Sequence, residues 1–489
     1  MKLSELIEGV AVERVRGDAE RAITGLAYDN RCVEPGTLFV CVRGMTRDGH
    51  EFAPDAVERG AAALVVEREV ELDVPQVVVA DARASMAPLA ARFFADPTAE
   101  LAVVGITGTN GKTTTAFLVR RILEAQGTQT GLLGTVKRIV GGVEEEVVRT
   151  TPESVDLQRT FRRMLDGGDR ACAMEVSSHA LALGRAEGIR FDVKAFTNLT
   201  QDHLDFHSDM EDYFNAKRSL FEGSEGTAVV NVDDPYGKRL ADELRDRGRP
   251  LLTFSAAGED ADLRAAEVEF DVAGARFRCL APDGEATVQM PLPGDFNVAN
   301  ALAALGVATA LGVGIEPAAV ALADAGRVPG RFEPIDEGQP FAVLVDYAHT
   351  PDSLDNVLRA ARRVTEGRLI CAFGCGGDRD RDKRPQMGRI GAERSDVCVV
   401  TSDNPRNESP EAIIAEILEG IVDREHVIVE PDRGAAIAIA LGAAGPGDTV
   451  VIAGKGHEQG QEFEHGRKLP FDDREVAASE LRRLKTAAP

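Results

Sequence analysis

A glycine-rich loop between an apolar segment and a helical segment constrains the fold of this chain more than any other part of its sequence. Residues 101–106 are typical of a buried strand, and the loop TGTNGKTTT at 107–115 leads into an apolar-periodic helix at 116–124. Glycines let backbone N–H groups turn inward around phosphate oxygens, Lys112 can reach the β- and γ-phosphates, and Thr113 can hold Mg²⁺ at the helix N-terminus. The sequence therefore predicts a phosphate-binding loop on an α/β sheet.

The loop departs from the general pattern at one position. In Gly-x-x-x-x-Gly-Lys-Ser/Thr the first glycine would fall at residue 106, which is an isoleucine. A turn that only joins a strand to a helix would explain the glycines, but it would leave Lys112 and three consecutive threonines without a reason. We interpret the loop as a shortened nucleotide-binding variant.

Two changes in the sequence pattern predict three domains. An apolar helical pattern ends near residue 98, and a Pro/Gly turn at 327–331 separates an Ala-rich helix from a new strand at 341–345. About one domain per ~150 residues is also the usual expectation for a chain of 489 residues. The predicted domains are 1–98, 99–335 and 336–489.

Strands alternate with helical stretches in the second and third predicted domains, which is typical of βαβ units. The Ala-rich segments at 299–311 and 435–444 fit helices that pack closely on a sheet. We predict a mainly parallel α/β sheet in the central domain and a Rossmann-like C-terminal domain. The predicted strands lie at 171–176, 193–196, 228–232, 368–373, 397–400, 427–429 and 449–453.

Composition limits both the function and the compartment. The formal net charge of −25 would repel a phosphate backbone, so we expect no nucleic-acid partner. No apolar run approaches the ~20 residues of a membrane span, and the first residues do not resemble a secretory signal, so we expect a cytoplasmic protein without membrane insertion. The seven cysteines are expected to be reduced core thiols.

Three polar residues of the central domain are candidates for metal and phosphate chemistry. Glu175 lies near the C-terminal end of a predicted strand, where α/β sheets place ligand-binding groups, and is the first candidate Mg²⁺ ligand. His203 lies just beyond another strand and Lys217 on the following helix. Each of these two also has an ordinary structural explanation, because lone histidines are usually satisfied by neighbours and helix lysines are usually solvated.

A series of motifs in the order of the chain resembles the Mur ligases. The motifs, between residues 24 and 458, are TGTNGKTTT, MEVSSHAL, TNLTQDHLDFH, GDFNVANALAA, VPGRFE, DYAHTPDSL, GCGGDRDRDKRP, DNPR and GKGHE. The resemblance implies an ATP-dependent ligase in peptidoglycan synthesis that phosphorylates the D-Glu γ-carboxylate of a UDP-linked muramoyl dipeptide and couples the acyl phosphate to an amine. It also implies two Mg²⁺ ions, a CO₂-derived carbamate on Lys217 and a monomeric chain.

The resemblance assigns roles residue by residue. Lys112, Lys217 and His203 take catalytic roles, and Thr113, Glu175, His203 and carbamylated Lys217 take metal-binding roles. The implied ATP-binding residues are Gly108, Thr109, Asn110, Gly111, Lys112, Thr113, Thr114, Asn297, Asn300, Arg331 and Asp346. The resemblance also implies that the N-terminal domain is an α/β uridine-binding module. The implied residues for the UDP-muramoyl dipeptide are Tyr28, Asn30, Met45, Thr46 and Arg47 on the uridine side, and Thr150, Thr151, Ser177 and Arg185 on the dipeptide side. Asn30 stands where the family usually has serine, and Leu183 replaces a polar residue of some members.

Three loops that follow strands of the C-terminal domain, at 374–379, 403–406 and 454–458, are expected to select the amine substrate. They should converge on one crevice, because the carboxyl ends of parallel strands meet at one edge of a sheet. Arg379 and Arg406 can pair with the second carboxylate of meso-diaminopimelate, and Asp403 and Glu458 can accept from its ammonium. A common turn at 403–405 and a solvated charge run around Arg379 remain structural alternatives. The implied acceptor residues are Arg379, Asp403, Asn404, Pro405, Arg406, Gly454 and Glu458.

Arg406 favours diaminopimelate over lysine, because a guanidinium facing lysine's bare ammonium would be repulsive. The alternatives are a lysine-adding ligase of the same family, more remotely a folylpolyglutamate synthetase, and a nucleotide-binding regulator without turnover. Lys112, Glu175, His203 and Lys217 are all present, which argues against the regulator.

Overall fold

The computed structural model describes residues 1–44, 47–223 and 226–487. The helices are α1 (Leu3–Leu6), α2 (Ala53–Glu58), α3 (Ala82–Phe93), α4 (Lys112–Ala125), α5 (Ser154–Asp166), α6 (Ser178–Ala182), α7 (Met210–Arg218), α8 (Pro235–Asp246), α9 (Asp295–Ala310), α10 (Ile315–Leu322), α11 (Pro351–Arg363), α12 (Lys383–Arg394), α13 (Pro410–Glu419), α14 (Arg433–Gly442) and α15 (Asp473–Ala487).

The strands β1 to β13 are β1 (Val12–Arg16), β2 (Gly25–Ala27), β3 (Thr37–Val40), β4 (Ala63–Val66), β5 (Gln76–Val79), β6 (Ala102–Thr107), β7 (Thr130–Leu133), β8 (Arg138–Val140), β9 (Val143–Glu145), β10 (Ala171–Glu175), β11 (Val193–Phe196), β12 (Thr227–Asn231) and β13 (Leu251–Ser255). The later strands are β14 (Leu263–Phe270), β15 (Ala275–Ala281), β16 (Gly284–Met290), β17 (Glu333–Pro334), β18 (Ala342–Asp346), β19 (Leu369–Phe373), β20 (Val397–Val400), β21 (Val427–Val429), β22 (Thr449–Ala453), β23 (Gly460–Glu462) and β24 (Lys468–Pro470).

By packing, the chain divides into two compact units. The first comprises Met1–Gly105, Gly127–Asp192 and Ser219–Gly226, and the second comprises Ile106–Gln126, Val193–Arg218 and Thr227–Pro489. This partition is not the division at residues 98 and 335 expected from the sequence, and those two boundaries stay predictions.

The first unit contains a sheet in the order β1-β5-β4-β3-β2. Strands β2 to β5 pair in parallel, and β1 closes the edge antiparallel to β5. Buried side chains of the sheet, of α1 and of α3 form one apolar core. Elsewhere in this unit β10 pairs in parallel with β7, and β8 and β9 continue antiparallel from β7. The end of β10 carries Glu175.

The second unit contains the phosphate-loop region and the C-terminal sheet. Strands β11 to β14 pair in parallel, whereas β14, β15 and β16 form an antiparallel extension. The C-terminal sheet has the order β17-β18-β22-β19-β20-β21, and all its pairings except β17 with β18 are parallel. Helices α11 to α13 pack on one face of this sheet and α14 and α15 on the other. The predicted Rossmann-like arrangement is confirmed.

The predicted α/β class is confirmed, and most predicted strands lie within one residue of the observed ones. The antiparallel hairpins β14–β16 were not anticipated within the mainly parallel central sheet. Among the cysteines, Cys32 is exposed, so the prediction of core thiols is wrong at that position; the other six are buried and all seven are free. No helix in the described part of the chain is long and apolar enough to cross a membrane.

Candidate active site

The phosphate loop has a backbone that only glycine permits at two positions. A methyl group on Gly108 would lie 1.9 Å from Thr197 Oγ1, and one on Gly111 would lie 2.3 Å from Asn300 Oδ1. Gly111 also has a φ of +86° and stands directly before α4. The two glycines therefore let the side chain that directly follows β11 and a side chain of α9 approach the loop closely.

Lys112 and Lys217 meet at one carbonyl oxygen of this loop. Lys112 Nζ donates to the carbonyls of Gly108 and Thr109, each at 2.7 Å, and Lys217 Nζ donates to Gly108 at 2.9 Å. Lys217 is buried and lies 4.6 Å from the centre of the Tyr213 ring. Burial, and next the charge of Lys112, lower the pKa of Lys217 well below its ordinary value. The structure thus brings together the two lysines that the sequence singled out.

His203 lies in a cluster of charged groups around Asp202. The carboxylate of Asp202 is 3.3 Å from His203 Nε2, 3.7 Å from His349 Nε2 and 3.8 Å from Lys383 Nζ. Burial alone would raise the pKa of Asp202, but these neighbours hold it well below its ordinary value. His203 has a φ of +57°, a backbone conformation that residues other than glycine seldom adopt. Asp202, His349 and Lys383 lie within the motifs DHLDFH, DYAHTPDSL and GCGGDRDRDKRP, but their separation in the sequence does not indicate that they meet.

Four of the predicted ATP-binding residues make mostly structural hydrogen bonds. Asn300 donates to Asn297 at 3.1 Å, and Asn297 donates to the Pro293 carbonyl at 2.8 Å. Arg331 Nη2 donates to Thr113 Oγ1 at 3.1 Å, which places it beside the phosphate loop. Asp346 is buried and accepts from two backbone N–H groups, and burial raises its pKa.

The loops after β20 and β22 are joined by a buried network. Lys455, fully buried, donates to Asn404 Oδ1 at 2.8 Å and to Glu458 Oε2 at 3.0 Å, and Asn404 Nδ2 donates to the same Glu458 oxygen at 2.8 Å. Arg406 donates to Glu462 Oε2 at 3.1 Å and to the Gly377 carbonyl at 2.8 Å. The predicted acceptor residues Asn404, Arg406 and Glu458 therefore belong to one connected set of loops.

Asp403 is a buried carboxylate whose Oδ2 has no hydrogen-bond partner among the residues that the structure describes. Burial alone would raise its pKa, but Lys455 and Arg433 hold the pKa below its ordinary value. A methyl group on Gly454 would lie 2.6 Å from this oxygen, so only glycine leaves room for it. By contrast, Arg379 is exposed and its observed contact is the neighbouring Asp378 carbonyl.

Arg433 is a further residue that the sequence did not single out. It is completely buried, makes two 2.7 Å bonds to Asp473, and donates to the carbonyls of Ser402 and Ala453. It therefore joins the ends of β20 and β22 to the start of α15. In the sequence, the only indication of this role is that Arg433 is the single charged residue of the otherwise apolar α14.

In the first unit, the predicted dipeptide-binding residues cluster near the end of β10. Thr151 Oγ1 donates to the Glu175 carbonyl at 2.9 Å and accepts from the Ser177 backbone at 3.1 Å. Thr135 links Thr150 to the Glu175 carboxylate. Arg185 pairs at 2.9 Å with Glu153, a buried carboxylate that also contacts Arg83 and Arg149. Glu153 and its two other arginines were not predicted.

The predicted uridine-side residues lie in the N-terminal part of this unit. Tyr28 donates to Asp156 at 2.6 Å, and Asn30 donates to Asp55 at 2.7 Å. Arg47 is exposed, with its guanidinium 4.9 Å from the Phe52 ring centre. Met45 and Thr46 lie outside the described residues. Tyr28 and Asn30 are therefore each held by a hydrogen bond to a carboxylate.

No group of three or more His, Cys, Asp or Glu side chains within the described ranges is arranged to hold a metal ion. A metal ion bound by the described residues would therefore need oxygen ligands besides carboxylates, such as hydroxyl, phosphate or carbamate groups.

Comparison with known proteins gives a consistent result along the chain. Residues 22–94 match the model described as Mur ligase family, catalytic domain, residues 106–308 the Mur ligase middle domain, and residues 330–456 the Mur ligase, glutamate ligase domain.

Two curated relatives carry the name UDP-N-acetylmuramoyl-L-alanyl-D-glutamate--2,6-diaminopimelate ligase. The one from Syntrophomonas wolfei is 46% identical over 492 residues, covering 99% of both chains. The one from Streptomyces coelicolor is 47% identical over 496 residues, covering 99% of this chain and 97% of the relative. A solved structure with the same name is 31% identical, covers 99% of both chains and has a TM-score of 0.71. The chain therefore belongs to the Mur ligase family.

Proposed function

We propose that the chain is an ATP-dependent ligase that joins the D-Glu γ-carboxylate of UDP-N-acetylmuramoyl-L-Ala-D-Glu to an amine of meso-2,6-diaminopimelate in peptidoglycan synthesis. ADP and phosphate are the other products. Full-length relatives named for this reaction support the proposal. The observation that carries it is the convergence of Lys112 and buried Lys217 on the Gly108 carbonyl, because this chemistry needs a phosphate cradle beside a lysine that can exist as a neutral amine.

Lys112 stabilises the charge on the transferring phosphoryl group. Its ammonium lies at the N-terminus of α4, where backbone N–H groups also favour anions. Transfer to the substrate carboxylate then forms an acyl phosphate, which the amine attacks. Positioning and electrostatic stabilisation account for the catalysis, without a covalent enzyme intermediate. The remaining proposed ATP contacts are Gly108, Thr109, Asn110, Gly111, Thr113, Thr114, Asn297, Asn300, Arg331 and Asp346.

We further propose that the enzyme takes up two Mg²⁺ ions and a carbamate on Lys217. Lys217 is buried with a strongly lowered pKa, so its neutral amine is available to react with CO₂, and the product would carry a negative charge beside Lys112. In the second unit, Thr113, His203 and the carbamate oxygens of Lys217 are the proposed metal ligands, and in the first unit Glu175 is the proposed metal ligand. When bound, Mg²⁺ supplies Lewis-acid neutralisation of the phosphate and carboxylate oxygens.

The loops at 374–379, 403–406 and 454–458 are called the acceptor loops. They suit a substrate with two carboxylates and two ammonium groups. Asp403 offers a buried anionic oxygen to an ammonium, and Glu458 offers a second acceptor. Arg406 offers guanidinium N–H groups to the second carboxylate, which lysine lacks. Arg379, Asn404, Pro405 and Gly454 complete the proposed acceptor set.

The UDP-linked substrate is assigned to residues of the first unit. Thr150, Thr151, Ser177 and Arg185 are proposed to bind the dipeptide end, and Tyr28, Asn30, Met45, Thr46 and Arg47 the uridine end. We further propose domain boundaries at 98 and 335 that act as hinges, a monomeric chain and a cytoplasmic location. Identical scattering profiles with and without ligands would contradict the hinges.

The test is phosphate release from ATP with UDP-N-acetylmuramoyl-L-Ala-D-Glu, offered meso-diaminopimelate, lysine or no amine, with the product mass measured. We expect release with diaminopimelate and a product heavier by one diaminopimelate residue. Preference for lysine would favour a lysine-adding ligase, and release only with a folate substrate and glutamate would favour a folylpolyglutamate synthetase. No amine-dependent release in any mixture would favour a regulator.

A further inference from the structure

Arg406 is held in an unusual backbone conformation by the segment that follows β22. Its φ is +50°, a region that residues other than glycine seldom adopt. Its backbone N–H donates to the Glu462 carbonyl at 3.0 Å, and the residue forms a parallel bridge with Phe463. The backbone of Arg406 is therefore fixed by the strand β23 and not by its own loop alone.

The side chain of Arg406 is fixed on one edge. Nε donates to Glu462 Oε2 at 3.1 Å, and Nη1 donates to the Gly377 carbonyl at 2.8 Å. A guanidinium has five N–H groups in a rigid fork. These contacts use the Nε hydrogen and one of the two on Nη1, so among the described residues the Nη2 hydrogens have no assigned acceptor.

The carboxylate that holds Arg406 is itself anchored in the acceptor loops. The Glu462 backbone N–H donates to Asn404 Oδ1 at 2.9 Å, and Asn404 also bonds Glu458 through Nδ2. On the other side, a methyl group on Gly376 would lie 3.0 Å from Arg406 Nη1, so the loop after β19 packs on the guanidinium. Glu462 is thus fixed by the same asparagine that positions a proposed acceptor-binding carboxylate.

We propose that Glu462 is a positioning residue for acceptor selection. Its carboxylate holds the Nε edge of Arg406, so that the Nη2 edge faces the second carboxylate of the acceptor. Fixing a long side chain before binding reduces the rotamer freedom lost when the acceptor binds. The inference rests on the proposed function, because the second carboxylate belongs to diaminopimelate.

The test is a set of steady-state titrations with meso-diaminopimelate, at saturating ATP and UDP-dipeptide. In Glu462→Ala we expect the acceptor KM to rise about tenfold, with kcat and the other two KM values within about twofold of wild type. Glu462→Gln keeps an oxygen that can accept from Nε, so its acceptor KM should lie between those of wild type and Glu462→Ala. In an Arg406→Ala background, Glu462→Ala should cause no further rise, because the group that it positions is gone.

Glu464→Ala is the matched control, since Glu464 is exposed and lies two residues further along the same segment. Its acceptor KM should equal that of wild type, and circular dichroism should show all variants folded. An unchanged or lowered acceptor KM in Glu462→Ala, or a full additional rise in the Arg406→Ala background, would overturn the inference alone. If wild type does not use diaminopimelate at all, the proposed function fails, and this inference fails with it.

Discussion

The phosphate loop and the acceptor loops lie in the same unit but are shaped by different forces. The phosphate loop is shaped by close backbone approach, because methyl groups at Gly108 or Gly111 would collide with Thr197 or Asn300. The acceptor loops also have closely approached glycines, such as Gly454, but they are held in addition by charge, with Lys455 paired with Glu458 and Arg406 paired with Glu462. The close approach excludes any larger residue at the two glycines, whereas the partly exposed Arg406–Glu462 pair can be changed without a steric collision. This difference is expected if the proposed phosphoryl-transfer site tolerates little change in sequence, whereas the proposed amine site can change its charged residues to suit its substrate.

The largest effect is expected in the phosphate loop. Lys112→Ala removes the ammonium beside the transferring phosphate, and kcat should fall roughly 10³-fold with all three substrates saturating. The measurement is phosphate release, with Lys238→Ala, an exposed lysine, as the control. A decrease of less than tenfold would show that Lys112 is not the main stabilising charge, and it would weaken the contrast between the two regions.

The second prediction concerns the amine site. Arg406→Lys keeps the charge but loses the planar fork, so the KM for diaminopimelate should rise about tenfold to a hundredfold while the ATP KM stays unchanged. Titration of each substrate in turn measures this separation. Equal increases in both KM values would mean that Arg406 supports the whole site and not the acceptor alone.

The acceptor loops also depend on a charged cluster for stability. Buried Arg384 donates to Glu408 and Glu416 and to the Gly376 carbonyl. The hydrogen bond from Arg384 lowers the pKa of Glu408 from 4.5 to about 2. A lowered carboxylate pKa stabilises the folded state above the unfolded-state pKa, and this contribution is lost as the pH falls toward the folded-state value.

Glu408→Gln should therefore lower the thermal midpoint by about 2–6 °C at pH 7. The difference in thermal midpoint between Glu408→Gln and wild type should become smaller as the pH falls from about 4.5 toward 2. Thermal melts at a series of pH values test this, with exposed Glu419→Gln as the control. A difference that does not change with pH would rule out the ionised pair as its cause.

The smallest effect is expected at Arg379. This side chain is exposed, and its observed bond is to the adjacent Asp378 carbonyl. Arg379→Ala should raise the acceptor KM by no more than about threefold, as for a solvent-screened charge. A rise as large as that of Arg406→Lys would show that the loop after β19 moves onto the acceptor.

Much of the fold followed from local pattern. The parallel strands and their helices were predictable because buried strands form short apolar runs and the phosphate loop has a fixed order of elements. The hairpins β14–β16 were missed, because their half-exposed strands mix charged and apolar residues. Strand pairing of that kind depends on tertiary neighbours more than on local propensity.

The candidate site was only partly predictable. Lys112 and Lys217 could be named from motifs, but their meeting at the Gly108 carbonyl depends on how α7 packs against the loop. Asp202, Arg433 and Glu462 were missed, because each acts through partners distant in sequence. A lone charged residue in a sequence does not reveal which buried group it faces.

The most direct test of the account is a competition assay, in which wild type receives equal concentrations of meso-diaminopimelate and lysine and the products are separated by mass. We predict that almost all product carries diaminopimelate, and that Arg406→Lys reduces this preference. Equal incorporation of the two amines by wild type, or a preference that does not change in Arg406→Lys, would contradict the claim that charged acceptor loops select the amine.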